Sequence, residues 1–190
     1  MISHRPEDRV PPLNESDRII FDFSDPNHSL IWLPVNDVIM GGVSTGEMKQ
    51  HTQQTARFSG TLSLDHGGGF SSVRTLPAEY NLSACAGLVL TVKGDGKSYK
   101  LNLTDGSSEA KILFQAKLNP PEGRWDILYI PFEDFMPTFR GRRVEQQTAL
   151  NSRAIQTFGL MISERQAGEF SLEVAAIAAR TSATNSTVNQ

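Results

Sequence analysis

The chain has 190 residues, 38% of them hydrophobic, with 15 glycines, 10 prolines and a formal net charge of −3 at pH 7. This length suits one domain with a real core, and the near-neutral charge excludes a protein that holds nucleic acid by general electrostatics. No apolar run approaches the roughly 20 residues that span a bilayer, so we expect no direct membrane insertion. The N-terminal residues show no secretory pattern, and Cys85 is the single cysteine. We therefore predict a cytoplasmic protein, peripheral to a membrane only through a partner, without an internal disulfide.

The first third of the chain predicts short strands separated by strong turn signals. Residues 1–18 read as a flexible arm, and Ile19–Phe23 reads as the first strand. The stretch from Trp32 to Gly46 holds a large aromatic anchor and the Gly41-Gly42 hinge, and it reads either as a structured loop or as a binding surface. For Glu47–Thr55 a strand edge, a loop and a helical turn all remain open.

Apolar side chains recur at every second position from Arg57 onward, which is typical of half-buried strands. Asp65–Gly69 predicts a hairpin turn, after which Phe70–Leu76 returns beside the preceding strand. Gly94-Asp95-Gly96, which follows the strand Leu88–Lys93, gives the same hairpin signal. The later strands that this alternation predicts lie at 99–103, 112–118, 125–129, 158–163 and 170–179.

Aromatic residues mark the segment before the last two strands. Trp125, Ile127 and Tyr129 alternate on one strand face, and both tryptophans of the chain read as core residues. Phe132–Gly141 has no period and reads as a packed loop with a helical turn and three inward phenylalanines. A basic cluster that begins at Arg140 lies beside it.

Roughly nine or ten short strands with frequent turns, and no alternation with long helical patterns, predict an all-β protein. One short helix is expected within Val144–Ile155. We predict a two-sheet antiparallel jelly-roll sandwich that spans residues 19–180 as a single domain. Residues 181–190 then form a disordered polar tail.

Gly42-Val-Ser-Thr-Gly46 matches the Gly-x-Ser-x-Gly nucleophile elbow of serine hydrolases. That elbow works at a strand-to-helix turn, with an acid and then a histidine later in the chain. This chain reads as all-β, and its last histidine is His66. The pattern therefore disfavours catalysis by Ser44, and we expect a protein that is not an enzyme.

Metal and cofactor sites have no strong signal in the sequence. The 4 histidines show no metal-ligand spacing, and Gly94-Asp95-Gly96 is too short for a dinucleotide fingerprint. We therefore expect no cofactor and no metal. One alternative stays open, because Asp25 and Glu173 with carbonyl oxygens match the donors of a structural calcium site.

Polar residues at the predicted strand ends are the remaining candidates for a binding site. Two explanations stay open for them. The arginines pair with the aspartates and hold the loops together, or the group forms a surface for a ligand or a partner. The residues concerned are Asn36, Asp37, Arg74, Asp95, Tyr99 and Arg140.

Several motifs occur in an order that is typical of one family. They are Trp32-x-x-Val-Asn-Asp-x-x-Met-Gly-Gly-x-Ser44, Gly68-Gly-Phe-Ser-Ser-Val-Arg74, Gly94-Asp-Gly-Lys-Ser-Tyr99, and Trp125 followed by Pro131-Phe-x-x-Phe135 and Arg140-Gly141. Through these motifs, from about Phe21 to Arg180, the chain resembles the complex I intermediate-associated protein family, the thirty-kilodalton class.

The resemblance implies a galactose-binding-like jelly roll, similar to carbohydrate-binding modules, and the role of a non-catalytic assembly factor. The founding members hold membrane-arm intermediates of respiratory complex I, and related domains serve photosynthetic complexes. We therefore expect the partners to be protein subunits of a membrane-bound electron-transfer complex. We also expect a stand-alone bacterial or cyanobacterial member of the family.

An assembly role implies a partner surface built from strand-end loops. The main alternative is a carbohydrate-binding module that stacks a sugar on Tyr99, Trp32 or Trp125, and a serine hydrolase acting through Ser44 is the second. The predicted surface comprises Asn36, Asp37, Gly41, Gly42, Ser44, Arg74, Asp95 and Arg140, with Trp32 and Met40 as apolar contacts if they are exposed.

Overall fold

The computed structural model describes residues 9–35, 43–65, 69–106, 112–144 and 149–182. Within these ranges, one-turn 3₁₀ helices lie at Phe132–Asp134 and Ser152–Ala154, and no helix is long and apolar enough to cross a membrane. The elements in chain order are β1 Arg18–Asp22, α1 Asn27–Leu30, β2 Trp32–Pro34, β3 Thr45–Gln50, β4 Ala56–Leu62, β5 Ser71–Thr75, β6 Cys85–Lys93, β7 Tyr99–Thr104, β8 Leu113–Leu118, β9 Trp125–Pro131, β10 Met136–Phe139, β11 Arg142–Arg143, β12 Thr157–Ile162 and β13 Gly168–Thr181.

The strands form two antiparallel sheets that pack face to face. The six-stranded sheet has the order β3-β4-β13-β6-β9, and β1 also pairs with β13. The seven-stranded sheet has the order β11-β10-β8-β7-β12-β5-β2. The predicted all-β fold, a two-sheet antiparallel sandwich, is confirmed. Because some neighbouring strands, such as β4 and β13 or β5 and β12, are distant in sequence, each sheet combines the two halves of the chain.

The core lies between the sheets and is rich in aromatic rings. The ring of Phe21 on β1 lies 5.3 Å from that of Trp32 on β2 and 5.2 Å from that of Phe158 on β12. Phe58 on β4 lies 6.4 Å from Tyr99 on β7. Burying each large apolar side chain stabilises the fold by about 1.5–3 kcal/mol. These contacts join one sheet to the other, so that the two outer faces are firmly supported.

Both predicted hairpins are wrong, because each pair of strands is divided between the two sheets. β4 lies in the six-stranded sheet and β5 in the seven-stranded one, and the same holds for β6 and β7. β5 pairs with β12 and β2, and four of its five residues are buried. A glycine-rich turn lets the chain reverse, but it does not specify which sheet the next strand joins.

The predicted inner face of β9 is wrong as well. Leu128 and Ile130 pack against the core, whereas Tyr129 is 42% exposed and Trp125 is half-buried on the outer face. Both faces of this strand carry apolar side chains, so alternation alone could not identify the inner one. Of the three phenylalanines expected to point inward, Phe139 is 42% exposed, because it lies on β10 beside the turn to β11.

The remaining elements match the sequence with small shifts or resolve an open choice. The first strand begins one residue earlier than predicted, at Arg18. Thr45–Gln50 is a strand, which settles the choice left open for that stretch. Within the described part of 144–155, a 3₁₀ turn at Ser152–Ala154 stands where a short helix was expected. The strands β2, β10 and β11 and the helix α1 were not predicted.

Candidate functional site

Two of the predicted surface residues lie inside the protein. Trp32 is 3% exposed, and its ring Nε1 is buried without a hydrogen-bond acceptor among the described residues. Ser44 is fully buried, and its hydroxyl donates to the carbonyl of Ser63 and accepts from the amide of Ser63, both at 3.1 Å. Trp32 is therefore too buried to provide the apolar contact that was predicted for it if exposed, and Ser44 anchors the start of β3.

The position of Ser44 does not fit a nucleophile elbow. The residues after it form strand β3, whereas the elbow needs a helix directly behind the serine. Its hydroxyl is buried against backbone, where a substrate carbonyl has no access. The serine hydrolase alternative therefore gains no support from the geometry.

Asp95 and Tyr99 form a latch between the two sheets. The Asp95 carboxylate accepts hydrogen bonds from the Tyr99 hydroxyl at 2.9 Å, the Ser171 amide at 2.8 Å and the Lys97 amide at 3.1 Å. Ser171 belongs to β13 and Tyr99 to β7, so that this carboxylate bridges both sheets. Burial, and then the charge of Asp95, raise the pKa of Tyr99 above its usual value. This supports the view that Asp95 holds a loop, but its partner is a tyrosine and not an arginine.

The other predicted residues do not converge on one loop cluster. Asn36, Asp37, Met40, Gly41 and Gly42 lie outside the described residues. Arg140 occupies the turn between β10 and β11 with a φ of 49°, and its guanidinium lies 5.4 Å from the ring centroid of Phe139. Arg74 lies on β5, four strands away from β10, which corresponds to about 19 Å across the sheet. The structure thus separates Arg74 from Arg140.

A row of side chains crosses the outer face of the seven-stranded sheet instead. Cross-strand partners project to the same face of a sheet, and the residues that alternate with this row, such as Val73 and Leu101, are fully buried in the core. We call this set the cross-sheet row. It consists, in register, of Leu33, Arg74, Gly159, Asn102, Gln115 and Met136.

Arg74 has an unusual environment within the cross-sheet row. It is half-buried, and within the part of the chain that the structure describes it makes no ion pair. Desolvation lowers its pKa. Its neighbour Gly159 has no side chain, and a Cβ there would lie 3.1 Å from the carbonyl oxygen of Val73. The backbone at Gly159 is therefore closely covered, since the same position would also lie 3.4 Å from the Cβ of Asn102.

The amides of Asn102 and Gln115, further along the cross-sheet row, are already oriented. Gln115 donates through Nε2 to Oδ1 of Asn102 at 3.0 Å, and the same nitrogen lies 3.8 Å from the sulfur of Met161. Sequence reasoning identified Arg74 but missed Gly159, Asn102, Gln115 and Met136. Only the strand register, which no local pattern gives, brings them into line with Arg74.

The outer face of the six-stranded sheet carries an ionic cluster around one carboxylate. The Glu173 carboxylate lies 3.3 Å from Arg57 and 3.3 Å from Lys93, and His51 is 3.9 Å away. A carboxylate surrounded by cations is a poor calcium ligand, so Glu173 does not fit the calcium site left open above. Among the described residues, no group of three or more metal-binding side chains is assembled.

Aromatic rings continue this outer face along the edge strand β9. The Nζ of Lys93 lies 5.3 Å from the ring centroid of Trp125, and the guanidinium of Arg180 lies 5.0 Å from that of Tyr129. An open depression of about 480 Å³ lies further along the same sheet, between β4 and β13. It is lined by side chains of both charges, including Arg57, Asp95 and Glu169.

A family model described as Complex I intermediate-associated protein 30 (CIA30) matches residues 21–174. The mitochondrial protein of that name from Drosophila melanogaster is 27% identical over 178 residues, which are 82% of this chain and 60% of that protein. Its namesake from Neurospora crassa is 28% identical over 134 residues, 62% of this chain and 48% of that protein. The chain thus spans about half the length of these relatives. They are eukaryotic, so they do not support the predicted bacterial source or cytoplasmic location.

Solved structures with a similar fold include carbohydrate-binding modules. The family 11 module of the cellulase Lic26A-Cel5E from Clostridium thermocellum superposes with a TM-score of 0.67 at 13% identity, covering 87% of this chain and 95% of that module. The family 11 module in complex with a β-1,3-1,4-mixed-linked tetrasaccharide gives 0.66 at 14% identity, covering 87% and 96%. At such identities the likeness concerns the fold alone, and it agrees with the predicted galactose-binding-like architecture.

Proposed function

The chain belongs to the complex I intermediate-associated protein 30 family, and from this membership we propose that it is a non-catalytic assembly factor that binds a subunit of a respiratory complex I intermediate. The family match over residues 21–174 is the observation that carries this proposal. The assembly role is supported by two mitochondrial relatives that are named complex I intermediate-associated protein 30. The identity of the bound subunit is part of the proposal.

The outer face of the seven-stranded sheet is the surface that we assign to this partner. It replaces the strand-end loops predicted from sequence, since Ser44 and Trp32 are buried and Arg74 lies far from Arg140. The cross-sheet row supports this choice because arginine and methionine are enriched at protein interfaces, and acidic side chains are depleted there. Leu33, at one end of the row, is 48% exposed and offers apolar contact.

The mechanism that follows is masking by a preformed surface. The sheet is held from behind by the aromatic core, so the row exists before the partner arrives. Binding to a preformed surface loses less conformational entropy than binding that must order a loop. The factor would cover an unfinished subunit interface and leave when the next subunit displaces it.

Affinity capture tests this proposal directly. The full chain, with an affinity tag, is expressed in the cells of its origin and recovered from detergent-solubilised membranes, and co-purifying proteins are identified by mass spectrometry. We expect complex I subunits from a partial assembly, and none of the subunits that join last. If no complex I subunit is enriched over an untagged control, the proposal is wrong. Enrichment of photosynthetic complex subunits would assign the factor to a related complex.

One observation favours a second candidate function, which is glycan binding. Trp125 and Tyr129 lie on the outer face of the edge strand β9, where aromatic rings are able to stack on sugars. The other two aromatic candidates, Trp32 and Tyr99, are buried and unsuitable. Calorimetry with bacterial and plant polysaccharides decides the matter: submillimolar binding that is lost in Tyr129→Ala would favour this alternative.

A further inference from the structure

The two sheets differ in the charges on their strands. The strands of the seven-stranded sheet contain no carboxylate, whereas those of the six-stranded sheet carry equal numbers of cationic and acidic residues. The whole chain has a formal net charge of −3, so the cationic sheet is a local feature and not a consequence of composition. Its charged residues are Arg74, Lys100, Lys117, Arg142 and Arg143.

Arg74 differs from the other cations of this sheet. Lys100 is paired with Glu164 at 3.1 Å, and Lys117 and Arg143 are exposed to water. Arg74 is half-buried, and no described carboxylate lies within ion-pair distance of it. A partly desolvated guanidinium without a counter-ion is unfavourable, and a bound carboxylate would relieve that penalty.

We propose that the Arg74 guanidinium receives a carboxylate from an acidic segment of the partner protein that lies along the cross-sheet row. This inference rests on the proposed function, because the partner is the complex I subunit named there. The planar guanidinium binds a carboxylate through two parallel hydrogen bonds. Gly159, the cross-strand neighbour of Arg74, places no side chain beside the guanidinium.

The neighbours of Arg74 favour a peptide over other anions. Gln115 presents a half-buried side-chain amide, held by the buried Asn102, and an amide matches the donors and acceptors of a peptide backbone. Leu33 and Met136, at the two ends of the row, provide apolar contacts for side chains. Nucleic acids and anionic lipid surfaces are instead held by many exposed cations acting together. On this face Arg74 is half-buried beside the apolar Leu33, near the β2 end of the cross-sheet row, and the exposed cations Lys117 and Arg143 lie on other strands.

The experiment compares three variants of the full chain in the capture assay described above. Arg74→Gln removes the charge, Arg74→Lys keeps the charge but loses the two-pronged geometry, and Arg143→Gln is the matched control on the same sheet. The melting temperature of each variant is measured in parallel. A photo-crosslinking phenylalanine analogue at Leu33, which is 48% exposed and lies opposite Arg74, identifies the partner peptide.

We expect Arg74→Gln to capture at least tenfold less complex I subunit, Arg74→Lys to fall between it and the unaltered chain, and Arg143→Gln to stay within twofold. The crosslinked peptide should contain Asp or Glu. Changing that residue to its amide should cause no further loss in the Arg74→Gln background, since the two changes remove one contact.

The possible failures are distinguishable. If the unaltered chain captures no complex I subunit, the proposed function itself fails. If it does capture one, and Arg74→Gln captures as much as Arg143→Gln, only the role of Arg74 fails. A melting temperature lowered by several degrees in Arg74→Gln would identify Arg74 as a structural residue and overturn the inference. Binding to cardiolipin vesicles or RNA that depends on Arg74, without a crosslinked acidic peptide, would overturn it in favour of that anion.

Discussion

Replacing Asp95 by alanine removes three hydrogen bonds, of which two connect this loop residue to β7 and β13 and one closes its own turn. The carboxylate accepts from the Tyr99 hydroxyl, the Ser171 amide and the Lys97 amide at 2.8–3.1 Å. A hydrogen bond to a charged group contributes about 1.5–3 kcal/mol, and bonds to one carboxylate are not additive. We therefore expect the free energy of unfolding to fall by about 3–4 kcal/mol. For a domain of this size that lowers the melting temperature by about 10 °C.

Urea denaturation followed by tryptophan fluorescence measures this loss. Asp95→Asn should lose about half as much, because its amide oxygen still accepts two hydrogen bonds while its NH₂ group faces the donor on Ser171. Glu79→Ala, which removes an exposed carboxylate, is the control and should change the unfolding free energy by less than about 0.5 kcal/mol. If Asp95→Ala melts within 2 °C of the unaltered chain, at about the uncertainty of the measurement, the latch contributes nothing and the reasoning is refuted.

The remaining predictions concern pH, packing and the anchoring of β1. Folding raises the pKa of Tyr99, so its stabilising effect is present below pH 10 and is lost as the pH rises further. Between pH 10 and 11 the free energy of unfolding of Tyr99→Phe should therefore fall by about 1 kcal/mol less than that of the unaltered chain, as measured by urea denaturation. Gly60→Ala should lower the free energy of unfolding by more than about 3 kcal/mol, since its Cβ would lie 2.0 Å from the Thr45 carbonyl oxygen. Gly123→Ala is the control, because its Cβ would have nothing within 4 Å and only its φ of +69° is unfavourable, so thermal melts should show a loss of only about 1 kcal/mol. Asp17→Asn should lower the free energy of unfolding by about 1–2 kcal/mol, because the Asp17 carboxylate accepts hydrogen bonds from two nitrogens of Arg180 at 3.0 and 3.1 Å. Equal hydrogen exchange of the β1 amides in this variant and in the unaltered chain would contradict the prediction.

The fold class was predictable because alternation survives wherever one strand face meets the core. Leu101 and Leu103 on β7, and Phe114 and Ala116 on β8, are buried as their period indicates. Strand pairing was not predictable in the same way. The turn at Gly94-Asp95-Gly96 looks like a hairpin, yet the chain crosses there from one sheet to the other. The choice between these outcomes depends on contacts that are remote in sequence.

The candidate site shows the same limit. Arg74 attracted attention as a charged residue in a glycine-containing motif, whereas Asn102, Gln115 and Met136 are ordinary outward residues of three separate strands. Trp32 was rightly read as a core residue, but Trp125 was not, because the two apolar faces of β9 look alike in the sequence. Arg140 was grouped with Arg74 as a loop residue, but Arg74 lies on β5 and Arg140 lies in the turn that follows β10, four strands away.

The central position of β13 has a consequence for biosynthesis. This 14-residue strand is the last in the described chain, and it separates β4 and β1 on one side from β6 on the other. While the ribosome is still translating residues before 168, those three strands have no partner along that edge. Unpaired edges of this kind bind chaperones and aggregate readily. The sandwich must therefore close after translation of β13, and a nascent chain stalled upstream of Gly168 will be held open and protease-sensitive.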